Sequence, residues 1–166
     1  MDHEFNSASF PQPEPNATPP RTMPPRPRRI LVVDDEAPAR ILASRVFSEA
    51  GFDVLAAKSG FECLEHFRKR PKSFDLILLD FSMPFMDGAE TFRRMRLIDP
   101  GVVVLLSTGF MSQVESRIER MIAAGLNGVI LKPHRPDELL AKANAILQRV
   151  KMSRVGCVAS DMAASA

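Results

Sequence analysis

Five short apolar runs recur along this chain, and the stretches between them place apolar residues at helical spacing. The predicted strands cover residues 29–34, 53–57, 75–80, 102–107 and 128–131. Four of these runs are nearly continuous Val, Ile and Leu, as in strands that helices bury on both faces. The alternation therefore predicts an α/β fold, in which repeated βα units with right-handed crossovers build a parallel five-stranded sheet.

The helices are predicted from apolar residues that repeat every three or four positions. They are expected at about residues 38–50, 60–68, 89–97, 114–124 and 139–150. Pro38 suits the first turn of the first helix, and Gly51 suits its end. A helix after every strand completes a (βα)5 arrangement.

The two ends of the chain differ in composition from its centre. Residues 1–28 hold eight of the 14 prolines, and their few large apolar residues cannot offset the entropy lost on ordering. We predict a disordered proline-rich tail at 1–28, one folded domain at 29–150 and a flexible tail at 151–166. No output domain is expected after the folded domain.

Composition argues against several classes of function. The formal net charge is +2 and the chain has no Trp or Tyr, so neither its charge nor its aromatic content favours nucleic acid as the main partner. No apolar stretch approaches the roughly 18 residues of a membrane span. Cys63 and Cys157 form no metal-binding pair or disulfide framework, and we expect a reduced, cytoplasmic protein.

Charged side chains follow three of the predicted strands. Asp34 and Asp35 follow the first, Asp80 ends the third, and Lys132 follows the fifth. Thr108 comes directly after the fourth. The carboxyl ends of parallel strands meet at one edge of a sheet, which is where open α/β sheets bind ligands. We therefore expect these side chains to form one site.

The predicted cluster needs a positive charge. Two carboxylates about 4 Å apart repel each other by roughly 4 kcal/mol at an effective dielectric constant of 20. Hard oxygen ligands that leave room for water favour Mg²⁺. With the ion and Lys132 neutralising a phosphoryl group, Asp80 could attack phosphorus as a nucleophile. A hydroxyl in Ser107-Thr108-Gly109, at the end of the fourth strand, could bond a phosphoryl oxygen.

Taken together, these residues resemble a known family, the receiver domain of bacterial two-component response regulators, over about residues 28–150. The matching elements are Asp34-Asp35, Asp80, Met83-Pro84-x-Met86-Asp87-Gly88, Thr108-Gly109 and Lys132-Pro133. The resemblance implies a flavodoxin-like three-layer sandwich with strand order 2-1-3-4-5.

The resemblance also implies a role for each site residue. Asp80 would be the phospho-acceptor, and Thr108 and Lys132 would contact the phosphoryl group. Asp34, Asp35, Asp80 and the backbone carbonyl of Ser82 would hold Mg²⁺. Lys132-Pro133 would be a cis peptide.

Partners follow from the same resemblance. The phosphoryl donor would be a sensor histidine kinase or a histidine phosphotransfer protein. The downstream protein would bind the face formed by the fourth helix, the fifth strand and the fifth helix. The chain would catalyse only its own phosphorylation and dephosphorylation, and it would act as a stand-alone receiver.

Two alternatives stay open at this point. One is a degenerate receiver that binds partners without phosphate, because Val129 stands where the family often has an aromatic switch residue, with Phe110 as a possible substitute. The other is a Mg²⁺-dependent aspartyl phosphatase. That chemistry in the haloacid dehalogenase superfamily uses Asp-x-Asp, and Ser82 occupies the position of the second acid.

Overall fold

In the part of the chain that a computed structural model describes, five parallel strands and five helices alternate. The structure describes the backbone of residues 26–109 and 111–163 and the side chains of residues 26–109 and 114–153. The strands are β1 (Arg29–Val33), β2 (Asp53–Ala57), β3 (Leu76–Asp80), β4 (Val104–Thr108) and β5 (Gly128–Leu131). The helices are α1 (Ala37–Glu49), α2 (Gly60–Lys69), α3 (Gly88–Ile98), α4 (Met111–Ala123) and α5 (Pro136–Ala163).

The strands form a single sheet in the order β2-β1-β3-β4-β5. All neighbouring pairs are parallel, and their register aligns the carboxyl ends of the strands. Val33 lies beside Leu79, Asp80 beside Ser107, and Thr108 beside Leu131. The predicted fold class and strand order are confirmed.

Each face of the sheet packs against its own set of helices. In β1, Leu31 and Val33 join the cluster that contains residues of α2, α3 and α4. Ile30 and Val32 join the cluster on the opposite face, which contains residues of α1 and α5. Strand residues that alternate between two apolar layers explain why the predicted runs are continuous rather than alternating.

The last helix is longer than its apolar spacing indicates. The predicted end near residue 150 is wrong, because α5 continues to Ala163. After Pro136 the segment contains no proline and only one glycine, Gly156, so little in it interrupts a helix. The predicted tail at 1–28 falls mostly on residues outside the described range, and the three-part division of the chain stays a prediction.

Among the helices in the described part of the chain, none combines the length and apolar character that crossing a bilayer requires.

Candidate functional site

Three aspartates meet at the carboxyl edge of the sheet. Asp34 follows β1, Asp80 ends β3, and one carboxylate oxygen from each of Asp34, Asp35 and Asp80 lies within 4.8 Å of the others. Asp34 and Asp80 are buried, with 6% and 3% exposure, whereas Asp35 is more open to solvent. The sheet register therefore brings together the acids that the sequence pattern predicts.

Lys132 joins the two buried aspartates. Its Nζ lies 2.6 Å from Asp80 Oδ1 and 2.8 Å from Asp34 Oδ2. Its backbone N–H donates to the carbonyl oxygen of Thr108 at 2.8 Å, which fixes the lysine to the end of β4. The Lys132-Pro133 peptide bond is cis, as the family resemblance implies.

The loop after β3 folds back over the strand end and orients Asp80. The N–H of Ser82 donates to Asp80 Oδ2 at 2.9 Å, and the N–H of Gly88 donates to the carbonyl oxygen of Phe81 at 2.9 Å. A Cβ at position 88 would lie 2.5 Å from the Asp80 carbonyl oxygen. Glycine is therefore required where the loop enters α3.

The switch candidates lie on the neighbouring strands. Thr108 is buried at the end of β4, and Val129 in β5 is half-buried and packs against the core cluster under α4. Phe110, the possible aromatic substitute, lies outside the described residues. Thr108 thus lies at the predicted strand end. It directly follows Ser107, the residue of β4 that lies beside Asp80.

Burial and charge shift two pKa values in the site. Burial raises the pKa of Asp80, with the Asp34 charge adding to the effect, and the contacts with Lys132 and the Ser82 N–H only partly oppose the rise. Burial lowers the pKa of Lys132, but its hydrogen bonds and ion pairs with Asp34 and Asp80 outweigh that effect and leave the pKa raised. The lysine is therefore held as a cation between two acids.

Arg40 belongs to the site but was not predicted. Its Nη1 donates to the carbonyl oxygen of Asp34 at 2.6 Å and to that of Asp35 at 3.3 Å. The N–H of Glu36 also donates to Asp34 Oδ1 at 2.9 Å. A positively charged side chain in the first turn of a helix interacts unfavourably with the helix dipole. The position of Arg40 in the first turn of α1 therefore indicates a role other than stabilising that helix.

Arg117 is a second unpredicted residue near the site. Its Nη2 lies 2.6 Å from Asp87 Oδ2, and its guanidinium lies 5.0 Å from the ring centroid of Phe81. It therefore links α4 to the loop that carries Asp80. No local sequence signal could reveal this contact, because the paired residues are 30 positions apart.

The donor set fits a divalent cation. Three carboxylates supply hard oxygen ligands, and the partly open Asp35 leaves room for water molecules, which Mg²⁺ usually retains. One ammonium group offsets only part of the charge of three ionised acids. A magnesium ion would supply the remaining positive charge.

The fold and the site place the protein in the class of doubly wound α/β proteins with an acidic site at the carboxyl edge of the sheet. Residues 30–144 match the response regulator receiver domain, and the chain belongs to that family. Members of the family act as signalling modules rather than as typical enzymes, and they interact with histidine kinases or phosphotransfer proteins. The family binds Mg²⁺ at an acidic pocket.

Curated relatives of the chain include regulators and a phosphotransferase. Sporulation initiation phosphotransferase F of Bacillus subtilis is 40% identical over 83 residues, which are 49% of this chain and 64% of that protein. Probable transcriptional regulator ycf27 of Porphyridium aerugineum is 34% identical over 122 residues, 74% of this chain and 49% of the relative. The chain thus spans about half to two thirds of the length of these relatives.

Solved receiver structures share the fold. A receiver domain protein from Clostridium thermocellum gives a TM-score of 0.69 at 28% identity, covering 75% of this chain and 98% of that chain. Chemotaxis protein CheY4 of Vibrio cholerae gives 0.64 at 32% identity, with 75% and 98% covered. Each of these two solved chains is covered over 98% of its length, in agreement with the fold described above.

Proposed function

We propose that the chain is a phospho-accepting receiver whose Asp80 takes a phosphoryl group from a histidine kinase or phosphotransfer protein. The observation that carries this proposal is the position of Lys132, whose Nζ contacts both Asp80 and Asp34. One acid is thereby set beside a fixed cation and two further acids. Phosphoryl transfer depends mainly on such positioning and charge stabilisation.

In the proposed step, a carboxylate oxygen of Asp80 attacks the phosphorus of a phosphohistidine. An O–P bond forms, the N–P bond breaks, and the electron pair of that bond returns to the imidazole nitrogen. Lys132 keeps its contact with Asp34 while its other N–H groups become available to phosphoryl oxygens. Ser82 orients the carboxylate through its backbone N–H, 2.9 Å from Asp80 Oδ2.

The residues that would hold Mg²⁺ are the three aspartates and the carbonyl oxygen of Ser82. When bound, the ion would neutralise charge on the phosphoryl oxygens. Arg40 would keep the chain between Asp34 and Asp35 in place, since it binds both carbonyl oxygens. We propose that the chain works in the cytoplasm, in keeping with its buried, reduced Cys63.

The signal would leave through the face formed by α4, β5 and α5. Thr108 and Lys132 would make new contacts with the phosphoryl group, and such differential contacts are what shift a conformational equilibrium. Lys132 follows β5 directly, and Thr108 precedes α4. Leu131 and Ile122, about half exposed on this face, would contact the downstream protein.

Intact mass spectrometry tests phosphorylation directly. The purified chain is incubated with acetyl phosphate and Mg²⁺, and we expect the mass of one phosphoryl group to be added. Asp80→Ala should abolish the addition, whereas Glu119→Gln, a change in an exposed acid of α4, should not. No adduct on the wild-type chain, or an adduct that persists in Asp80→Ala, would overturn the proposal.

Val129 favours the phosphate-independent receiver, but the complete set of acids and lysine at the site favours phosphorylation over both alternatives. For phosphatase turnover, the second acid is missing, because residue 82 is a serine that contacts Asp80 only through its backbone N–H. We therefore expect no repeated hydrolysis of p-nitrophenyl phosphate. A phosphate-independent receiver would not need the complete set of acids and lysine. We expect calorimetry to show that this chain binds Mg²⁺ at millimolar concentrations, and a chain that does not bind it would favour the phosphate-independent receiver.

A further inference from the structure

A groove between α3 and α4 opens beside the loop that carries the site. It has a volume of about 630 Å³. Buried Phe92 and Met121 form its apolar floor, while exposed Phe85 and Leu97 stand at its rim. We call this feature the α3–α4 groove. The proposed phosphoryl chemistry does not use its lining residues.

Phe85 is the most unusual residue of the α3–α4 groove. Its side chain is 99% exposed, and its φ of 63° lies in the left-handed region. An L-residue with a Cβ is strained there, and glycine would adopt the same backbone without strain. A large aromatic side chain is thus presented to solvent at a conformational cost, which is the reverse of what folding alone favours.

The groove is also rich in positive charge. Four arginines line it, Arg93, Arg96, Arg117 and Arg120, and the only acids among the lining residues are Asp87 and Glu90. Two of the arginines are neutralised locally, since Arg93 pairs with Glu90 and Arg117 pairs with Asp87. Arg94 takes a further share of the Glu90 charge.

The other two arginines lack a carboxylate partner within the described part of the chain. Arg96 donates to the carbonyl oxygen of Pro100 and lies over the Phe92 ring, 6.0 Å from its centroid. Arg120 donates only to the carbonyl oxygen of Ser116, at 3.2 Å within its own helix. Both guanidinium groups retain donors that can bind a carboxylate.

We propose that the α3–α4 groove binds an acidic peptide segment of a partner protein, one that also carries an apolar anchor. The anchor would pack against the rim and floor, where Phe85 and Leu97 offer apolar area, and carboxylates would pair with Arg96 and Arg120. Aromatic and arginine side chains are the types that contribute most at protein interfaces. The excess of arginine over acid selects an acidic segment.

This inference goes beyond the proposed function and does not rest on it. Arg96 and Arg120 donate to carbonyl oxygens outside the Asp34–Asp35–Asp80 cluster, and the groove is open in the chain without a phosphoryl group. The test therefore uses the full-length chain without any phosphoryl donor, and it can fail while the phosphorylation experiment succeeds.

The probe is a fluorescein-labelled ten-residue peptide with alternating Glu and Asp around a central Leu-Phe pair. Its binding to the full-length chain is measured by fluorescence anisotropy. Two control peptides have the acids replaced by Gln and Asn, or the Leu-Phe pair replaced by Ser-Ser. We expect the acidic apolar probe to bind at least tenfold more tightly than either control.

Variants locate the site on the protein. Arg120→Glu and Arg96→Gln should each weaken the probe about fivefold or more, and Phe85→Gly should weaken it to a similar degree. Arg45→Glu is the matched control, an exposed helical arginine on α1, and it should leave the affinity unchanged. Circular dichroism confirms that each variant is folded.

Three results would overturn the proposal. Equal binding of the acidic and neutral peptides would remove the role of charge, and equal loss in Arg45→Glu would show nonspecific attraction. Sedimentation velocity supplies the third: a dimer of the chain that dissociates in Phe85→Gly and Arg120→Glu would show that a second copy, rather than an acidic peptide, occupies the groove.

Discussion

Asp80 combines burial with a charge that lies close to another acid. Its pKa is raised chiefly by burial, so the ionised carboxylate is less stable in the folded chain than in the unfolded one. A buried acid of this kind reduces the stability of the fold. The ion pair with Lys132, whose Nζ lies 2.6 Å from Asp80 Oδ1, offsets only part of this cost.

Replacing that acid should therefore stabilise the protein. Asp80→Asn removes the buried charge but keeps the side-chain shape, and Lys132 retains Asp34 as a partner at 2.8 Å. We expect the free energy of unfolding at pH 7 without Mg²⁺ to rise by about 1 kcal/mol, a value reduced for solvent screening. Urea unfolding followed by circular dichroism measures the change.

The pH dependence gives this prediction its control. A raised pKa means that the Asp80 contribution to stability is present below its ordinary value of 3.8 and is lost as pH rises through the higher value in the fold. The advantage of Asp80→Asn should accordingly shrink as pH falls toward 3.8. An advantage that is constant with pH would contradict the burial argument.

Arg40 stabilises the same site through the backbone. Arg40→Gln removes the contacts with the carbonyl oxygens of Asp34 and Asp35 and should loosen the turn that presents both acids. Losing one charge-assisted hydrogen bond costs about 1.5 kcal/mol, so we expect the Kd for Mg²⁺ to rise by up to about tenfold. Isothermal titration calorimetry suits a chain without Trp or Tyr.

The control for Arg40 lies on the same helix. Arg45→Gln removes an exposed arginine that pairs only with Glu49, and it should leave Mg²⁺ affinity unchanged. If Arg40→Gln behaves like Arg45→Gln, the acid loop holds its shape without the guanidinium, and the positioning role is wrong.

At the scale of elements, Asp87 connects α3 with α4. Its Oδ1 accepts from the N–H of Glu90 at 2.9 Å as the N-cap of α3, and its Oδ2 pairs with Arg117 of α4. One carboxylate thus stabilises a helix start and holds the neighbouring helix close to the loop of Asp80.

We expect Asp87→Ala to lower the free energy of unfolding through two separable losses. An N-cap is worth about 1 kcal/mol, and the half-exposed ion pair with Arg117 adds about 0.5 kcal/mol. Ser59→Ala, which removes the N-cap of α2, measures the cap alone. A double-mutant cycle with Arg117→Ala isolates the ion pair, and a coupling energy of zero would show that α3 and α4 are not linked in this way.

The strands and the aspartates were predictable because their signals are local. Continuous Val, Ile and Leu runs mark β1, β3 and β4, and Asp34 and Asp80 stand directly at the ends of two of them. The Asp87–Arg117 pair and the groove beside it depend on the packing of α3 against α4. Distances in sequence do not report such packing.

Two local features were also missed, each for its own reason. Phe85 has a φ of 63°, whereas an aromatic residue prefers a negative φ. The conformational preference of the residue therefore gave no indication of the backbone that this loop adopts. The end of α5 was misplaced because the prediction relied on apolar spacing, which fades after Val150 although the backbone stays helical to Ala163. Helix ends without a proline or a capping glycine are poorly marked in sequence.

At the scale of the whole molecule, the sheet separates two apolar layers, and α5 completes the layer it shares with α1. Among the side chains of α5 that the structure describes, the buried ones are those of Leu139, Ala143, Ile146 and Leu147. Beyond Val150, the described side chains of Lys151, Met152 and Ser153 are exposed. Within the described part of α5, the packing against the core therefore ends at Val150.

Truncation separates helix length from core packing. Deleting residues 151–166 should reduce helical circular dichroism. We expect it to change the free energy of unfolding by less than about 0.5 kcal/mol, because the described side chains of this segment, at 151–153, are exposed and exposed positions contribute little. A chain ending at Ala145 should instead lose roughly 4–10 kcal/mol, since it lacks two buried side chains, those of Ile146 and Leu147, at about 2–5 kcal/mol each. Thermal and urea unfolding measure both variants. A large loss in the first truncation would mean that residues after 150 contribute to the core.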